Sequence, residues 1–464
     1  MEKIFCGVDY ISLQIIDKNI EYGEIQYDSR KVNEGDLFIA LEGAVVDGHD
    51  FIDIAIEKGA KGIIVSREVK MNPNVNYYLV KDLRENLGII GSNFYGAPEK
   101  QLKIIGITGT NGKTTTTYML ESIIGEEKVA RIGTVEYKVG DEIIPAPNTT
   151  PESIDIIKIC KKAVEKKLEY LVMEVSSHAL KIGRVKMLKF DCAVFTNLTP
   201  EHLDFHHNME EYYKAKEILF TMLKPEGKGV FNIDDSYGER LYETYGGLSY
   251  SLDKSADITG QDLEGKHLKV LGKYNLYNLL GAMGAAKIVG IPHDQIIEAI
   301  EHVHTAPGRF EPVNGGQDFL VVVDYAHTGD ALENILKSIN EIKKARVITI
   351  FGCGGDRDNT KRPVMAAIAE KYSDVVIATS DNPRTEDPQI ILNQVVSGFL
   401  GKNHIIEIDR KKAIYKGIEL AEKNDIILIA GKGHENYQIL GRTKIHFDDR
   451  EVALEAIKER LGGK

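Results

Sequence analysis

Short apolar runs that stop at polar, glycine-rich turns dominate the last third of this chain. Phe319-Leu320-Val321-Val322-Val323 ends in Asp324-Tyr325-Ala326-His327. Arg346-Val347-Ile348-Thr349-Ile350-Phe351 ends in Gly352-Cys353-Gly354-Gly355-Asp356-Arg357-Asp358. Asp374-Val375-Val376-Ile377-Ala378 leads to Ser380-Asp381-Asn382-Pro383-Arg384, and Asp425-Ile426-Ile427-Leu428-Ile429-Ala430 to Gly431-Lys432-Gly433-His434-Glu435. Unbroken apolar runs separated by helical stretches predict a largely parallel sheet covered on both faces. In such open sheets ligands bind outside the carboxyl ends of the strands, so the four turns are expected to converge on one site.

The same pattern recurs upstream in Tyr170-Leu171-Val172-Met173-Glu174-Val175 and in Asp191-Cys192-Ala193-Val194-Phe195-Thr196-Asn197. Nearer the start, Asp36-Leu37-Phe38-Ile39-Ala40 and Gly62-Ile63-Ile64-Val65 flank a helical stretch from Phe51 to Lys58, and Gly96-Ala97-Pro98 reads as a linker. A chain of 464 residues exceeds one ordinary core. The expected class is α/β in three domains. These are a smaller α/β domain over 1–98, a central, mostly parallel domain of phosphate-loop type over 99–310, and a doubly wound, Rossmann-like domain over 311–464.

Composition narrows the function classes. A net charge of −12 argues against nucleic-acid and anionic-membrane partners. Cys6, Cys160, Cys192 and Cys353 are far apart, which suits a reducing compartment and offers no zinc framework. The first residues lack the apolar core of a signal peptide, and no apolar run approaches the ~20 residues that span a membrane. A cytoplasmic protein is expected.

The candidate chemistry begins at Ile104-Ile105-Gly106-Ile107-Thr108-Gly109-Thr110-Asn111-Gly112-Lys113-Thr114-Thr115. A strand runs into a glycine-rich loop and then a helix, the arrangement that turns backbone N–H groups and a helix N-terminus toward phosphates. Lys113 is placed to reach terminal phosphates and the Thr114 hydroxyl to meet magnesium, so ATP or GTP is the expected ligand. The usual loop has a glycine where Ile107 stands. Glu174 closes an apolar strand some sixty residues on, a common position for an acidic magnesium partner. His202, His206 and His207 cluster without a recognised zinc spacing; the two readings are that one serves magnesium or phosphate and that all three are structural. Lys216 falls on the apolar stripe Met209, Tyr213, Phe220 of a predicted helix, which requires either snorkelling or a chemical reason. Gly352-Cys353-Gly354 lacks the third glycine of a dinucleotide loop, and Arg357 and Arg384 are better suited to clamping a carboxylate.

Taken in order, these motifs resemble the Mur ligases. The resemblance also covers Asp28-Ser29-Arg30, Asp47-Gly48-His49, Asn148-Thr149-Thr150-Pro151, Ser176-Ser177-His178-Ala179-Leu180, Tyr274-Asn275 with Asn278, and Pro307-Gly308-Arg309. It implies an ATP-dependent, ADP-forming amide ligase of peptidoglycan synthesis. Such an enzyme would add meso-2,6-diaminopimelate to the D-glutamate γ-carboxylate of UDP-N-acetylmuramoyl-L-alanyl-D-glutamate through an acyl phosphate. By resemblance, ATP would meet Gly109, Thr110, Asn111, Gly112, Lys113, Thr114, Thr115, Asn275, Asn278 and Arg309. The muramoyl dipeptide nucleotide would meet Ser29, Asn148, Thr149, Thr150, Ser176 and Arg184, and the diamino acid Arg357, Asp381, Asn382, Pro383, Arg384, Gly431 and Glu435. Lys113, Glu174, His202 and Lys216 would be catalytic. Thr114, Glu174, His202 and Lys216, the last as an N6-carboxylysine formed with carbon dioxide, would hold two magnesium ions. A monomer is expected. Ile182 stands where a Gln is often found, and Gly329 where a proline is usual. The competing possibilities are meso-lanthionine or L-lysine as the added amino acid, a folylpolyglutamate synthetase-like ligase, and a non-enzymatic nucleotide switch.

Overall fold

The computed structural model describes residues 3–43, 46–270 and 272–462. Three main sheets follow one another along the chain. The first contains β1 (Ile11–Gln14), β2 (Ile25–Gln26), β3 (Leu37–Ile39), β4 (Gly62–Val65) and β5 (Asn76–Leu79), in the order β1-β5-β4-β3-β2. Only β1 runs antiparallel to its neighbour. All four residues of β4 are buried, as a strand covered on both faces requires.

The second sheet has nine strands: β6 (Lys103–Thr108), β7 (Val129–Ile132), β8 (Glu136–Val139), β9 (Glu142–Pro145), β10 (Tyr170–Glu174), β11 (Phe190–Phe195), β12 (Leu223–Asn232), β13 (Gly247–Ser251) and β14 (Ile258–Thr259). Their order is β14-β13-β12-β11-β6-β10-β7-β8-β9. The pairings from β14 to β7 are parallel, whereas β7-β8-β9 is an antiparallel extension. Alternating burial along β8 and β9 explains why this edge carries no long apolar run. Separate apolar clusters cover the two faces, one around Met173 and Phe220, the other around Met119 and Leu280.

The third sheet holds β15 (Glu311–Val313), β16 (Leu320–Asp324), β17 (Val347–Cys353), β18 (Val375–Ser380), β19 (His404–Ile406) and β20 (Ile426–Ala430). The order is β15-β16-β20-β17-β18-β19, parallel except at β15, with a core on each face. A small hairpin, β21 (Tyr437–Leu440) and β22 (Thr443–His446), follows. The α/β class and the doubly wound third sheet agree with the apolar pattern. Among the described residues no helix is long and apolar enough to cross a membrane.

Candidate active site

The phosphate loop turns at Gly109 and Gly112, with φ of +150° and +89°. A Cβ on Gly109 would lie 1.9 Å from Thr196 Oγ1, and one on Gly112 2.2 Å from Asn278 Oδ1. Both positions therefore exclude a side chain. Ile107 remains inside β6, buried, so the turn the usual motif starts there begins two residues later. The helix Lys113–Ile124 follows the loop directly. Lys113 Nζ donates to the carbonyls of Gly109 (2.8 Å) and Thr110 (2.7 Å). Burial pulls its pKa below the usual lysine value.

Glu174, at the end of β10, is fully buried beside this loop. Its Oε2 accepts from the hydroxyls of Thr114 (3.0 Å) and Thr134 (3.0 Å), and its Oε1 from the Thr134 N–H (2.7 Å). Carboxylate and hydroxyl oxygens gathered in this way are the oxygen ligands that a hard cation such as magnesium takes. The Glu174 carbonyl accepts from Thr150 Oγ1 at 2.9 Å, and Thr150 Oγ1 in turn accepts from the Ser176 N–H at 3.1 Å. Thr149 reaches the same cluster through Thr134, with hydroxyls 3.1 Å apart. Asn148 presents its carbonyl to the Tyr137 hydroxyl. Arg184 donates to the Thr150 carbonyl (2.9 Å) and to Glu152 (2.9 Å). Glu152 and Arg84 also line a cavity of about 520 Å³ that runs past Tyr27, Ser29 and Phe38. Ser29 is thus connected to the Glu174 cluster by lining residues and not by a direct bond. Ile182 contributes an apolar wall to a neighbouring cleft.

A second group gathers around the Tyr212 ring. Lys216, on the inward face of the helix Met209–Thr221, is buried; its Nζ donates to the Gly109 carbonyl at 2.7 Å and lies 4.4 Å from that ring. Burial, reinforced by the nearby Lys113 charge, holds Lys216 well below the usual lysine range. Its neighbour Lys214 points outward to Glu217. His202 has a left-handed backbone (φ +55°), a side chain 47% exposed, and a ring edge-on to His178. His206 is instead buried, 2.9 Å from the Ser177 hydroxyl, and its pKa is depressed by burial to about 4. Of the clustered histidines, His206 is therefore a packing residue, whereas His202 and His207 are both exposed.

A small cavity of about 100 Å³ brings Asn111, Gly112, Thr115, Asn278 and Arg309 together with Tyr274 and Asn334. Asn275 lies one turn before Asn278, whose Nδ2 is 3.4 Å from Asn275 Oδ1. Arg309 stacks its guanidinium over Tyr325 at 4.6 Å.

The four turns of the third sheet do meet. Gly431, at φ +119°, has its N–H on the Asp324 carbonyl, and a Cβ there would lie 2.7 Å from Asp381 Oδ2. The Gly355 N–H bonds the Asn382 carbonyl, and Asn382 Nδ2 donates to Glu435 Oε2 at 2.8 Å. Buried Lys432, which the motif spacing alone did not single out, donates to that same Glu435 oxygen at 3.1 Å. Arg384 Nη1 donates to the Gly355 carbonyl at 2.8 Å, one turn across from its own, and Pro383 packs its carbonyl against Gly355. Arg357 is exposed, and its Nη1 donates to the Asp356 carbonyl at 3.1 Å. Below the turns, buried Arg410 pairs with buried Asp449 at 2.6 Å and donates to the Ser380 and Ala430 carbonyls, tying β18 to β20.

The chain is similar to known proteins along its whole length. Residues 21–95 match the Mur ligase family catalytic domain, 107–286 the Mur ligase middle domain, and 308–433 the Mur ligase glutamate ligase domain. A Fusobacterium nucleatum protein named UDP-N-acetylmuramoyl-L-alanyl-D-glutamate–2,6-diaminopimelate ligase is 52% identical over 98% of both chains. A Clostridium acetobutylicum protein named UDP-N-acetylmuramoyl-L-alanyl-D-glutamate–2,6-diaminopimelate ligase 1 is 46% identical over 99% of both. A solved structure of a ligase so named superposes with a TM-score of 0.67 at 31% identity, covering 97% of this chain and 98% of that one. The fold is also that of a MurF ligase from Thermotoga maritima in complex with ADP, at TM-score 0.67 and 19% identity over 96% of this chain and 99% of that one. With three consecutive domain matches and full-length identity of this order, the chain belongs to the Mur ligase family.

Proposed function

We propose that this chain joins meso-2,6-diaminopimelate to the D-glutamyl γ-carboxylate of UDP-N-acetylmuramoyl-L-alanyl-D-glutamate, converting ATP to ADP and phosphate, in peptidoglycan synthesis. The substrates are those in the names of its full-length relatives. The observation that carries the reading is the double attachment of Glu174. Its carboxylate bonds Thr114 of the phosphate loop, and its carbonyl bonds Thr150 of the segment read as the acceptor site. Nucleotide and carboxylate acceptor would therefore meet at one residue.

A carboxylate and an ammonium do not condense at neutral pH. Phosphorylation of the γ-carboxylate supplies a leaving group, after which the free amine adds to the acyl carbon and phosphate departs. The loop N–H groups and Lys113 would bind the ATP phosphates, with Asn275, Asn278 and Arg309 on the nucleoside side. Ser29, Asn148, Thr149, Thr150, Ser176 and Arg184 would hold the muramoyl dipeptide nucleotide. Arg357, Asp381, Asn382, Pro383, Arg384, Gly431 and Glu435 would orient the diamino acid. Magnesium, held by Thr114, Glu174, His202 and Lys216 as its carbamate, would neutralise phosphate charge. The depressed pKa of Lys216 supports the modification, because only a neutral amine adds carbon dioxide. The reading divides the chain at 98 and 310 and takes it as a monomer, and it places the reaction in the cytoplasm, where ATP and UDP-linked sugars are found.

The test is an omission series. ADP release should require the muramoyl dipeptide nucleotide and diaminopimelate together. Rapid hydrolysis of ATP alone, or equal turnover with L-lysine, would overturn the assignment.

A further inference from the structure

Asp330 lies in the first turn of the helix Gly329–Ile342, on the third-sheet unit, yet its carboxylate serves the phosphate loop. Its Oδ2 accepts from Asn111 Nδ2 (2.9 Å), from the Thr199 hydroxyl (2.8 Å) and from Asn334 Nδ2 (3.2 Å). Asn111 is a loop residue. Thr199 follows β11, three residues before His202, and is itself stitched to the loop, its N–H donating to Thr110 Oγ1 at 3.0 Å. The Asn111 backbone is fixed as well, with its N–H on Asn197 Oδ1 (2.9 Å) and its carbonyl accepting from Thr196 Oγ1 (2.6 Å). The Asn111 side chain remains, held by Asp330 of the third unit at 2.9 Å and, more weakly, by Thr199 Oγ1 of the central unit at 3.5 Å. Ala331, Asn334 and Ile335 of the same helix line the cavity shared with Gly112 and Thr115.

One oxygen accepting hydrogen bonds from two central-unit side chains constitutes a latch. A shift of the helix by an ångström or two would break both bonds, since they weaken steeply beyond about 3.2 Å. We propose that Asp330 is a positioning residue that couples seating of the third unit to the conformation of the phosphate loop. Phosphoryl transfer is then fastest when the unit carrying the amino acid pocket is docked. This rests on the loop being the ATP site of the proposed ligase.

The experiment compares the wild-type chain with Asp330→Ala, Asp330→Asn, Thr199→Val and the double variant Asp330→Ala/Thr199→Val. Steady-state turnover is measured with all three substrates, and ADP affinity by calorimetry. Wild-type activity is established first; its absence would refute the ligase reading itself and not the latch. Given an active wild type, Asp330→Ala should lower kcat by roughly 10- to 100-fold, the scale of losing one or two hydrogen bonds to a charged group. KM for the diamino acid and ADP affinity should change less than about threefold. Asp330→Asn keeps an acceptor oxygen and should recover most of the rate. The double variant should lose little more than Asp330→Ala alone, because both remove the same contact. An Asp330→Ala enzyme with unchanged kcat would overturn the proposal, as would fully additive losses or a loss confined to ADP affinity.

Discussion

Replacing Arg384 with methionine should abolish discrimination between diamino acids while leaving the phosphoryl chemistry in place. The backbone at this position is held independently of the side chain: the Arg384 N–H donates to the Ile439 carbonyl at 3.1 Å, and the Gly441 N–H to the Arg384 carbonyl at 2.8 Å. Those bonds keep the left-handed φ of +52° in the variant. What disappears is the guanidinium, including its 2.8 Å bond to the Gly355 carbonyl. The proposed far carboxylate of diaminopimelate would lose a two-point charged contact, at about 1.5–3 kcal/mol for each hydrogen bond. A total of about 3–6 kcal/mol corresponds to roughly 10²- to 10⁴-fold in kcat/KM. L-Lysine lacks that carboxylate, so its kcat/KM should move only a few-fold. The wild-type chain should therefore prefer diaminopimelate strongly and the variant scarcely at all. The assay is ADP release at saturating ATP and muramoyl dipeptide nucleotide, titrating diaminopimelate, meso-lanthionine and L-lysine. Meso-lanthionine retains both carboxylates and should follow diaminopimelate. Equal fold losses for L-lysine and diaminopimelate would show that Arg384 only braces the Gly355 turn, and the specificity argument would fail.

Other perturbations test other parts of the site. Lys216→Ala should remove nearly all turnover, with partial recovery on adding a small carboxylate such as acetate; wild-type rates without any addition would sink the carbamate assignment. Gly112→Ala must place a Cβ 2.2 Å from Asn278 Oδ1 at φ +89°, so calorimetry should find ATP affinity reduced at least about tenfold. Arg410→Met strands the buried Asp449 charge and should lower unfolding free energy by about 3–5 kcal/mol in urea titrations, whereas Arg410→Met/Asp449→Leu should recover part of it. His206 has a folded pKa of about 4 against an ordinary 6.5, so the unfolded chain takes up a proton that the folded one refuses. Its contribution to stability is complete above pH ~6.5 and drains as the pH falls toward ~4. His206→Gln should therefore reduce the stability lost between pH 7 and pH 4 by on the order of 2 kcal/mol, and an unchanged acid limb would count against this account.

What the sequence made legible follows from how local each signal is. Fully buried strands such as β4 and β20 announce themselves because both faces need apolar side chains. The β8–β9 hairpin escaped notice because a half-exposed edge alternates polar and apolar residues over only four positions per strand. In the phosphate loop the glycine expected at Ile107 is displaced, yet the turn survives because Gly109 takes the conformation that no side chain could share with Thr196. The inward direction of Lys216 was readable from helical spacing, but its partner, the Gly109 carbonyl more than a hundred residues away, was not. Thr134 and Asp330 were invisible for the same reason. Thr134 is an ordinary threonine after a strand until chain crossing sets it against Glu174, and Asp330 is an ordinary acidic residue in a helix first turn, where such residues are common for local electrostatic reasons alone. Motifs identify residues that must touch a ligand, because the ligand constrains their type. Residues that hold those motifs together are constrained only by the fold, and they emerge once the fold has brought distant segments within hydrogen-bonding distance.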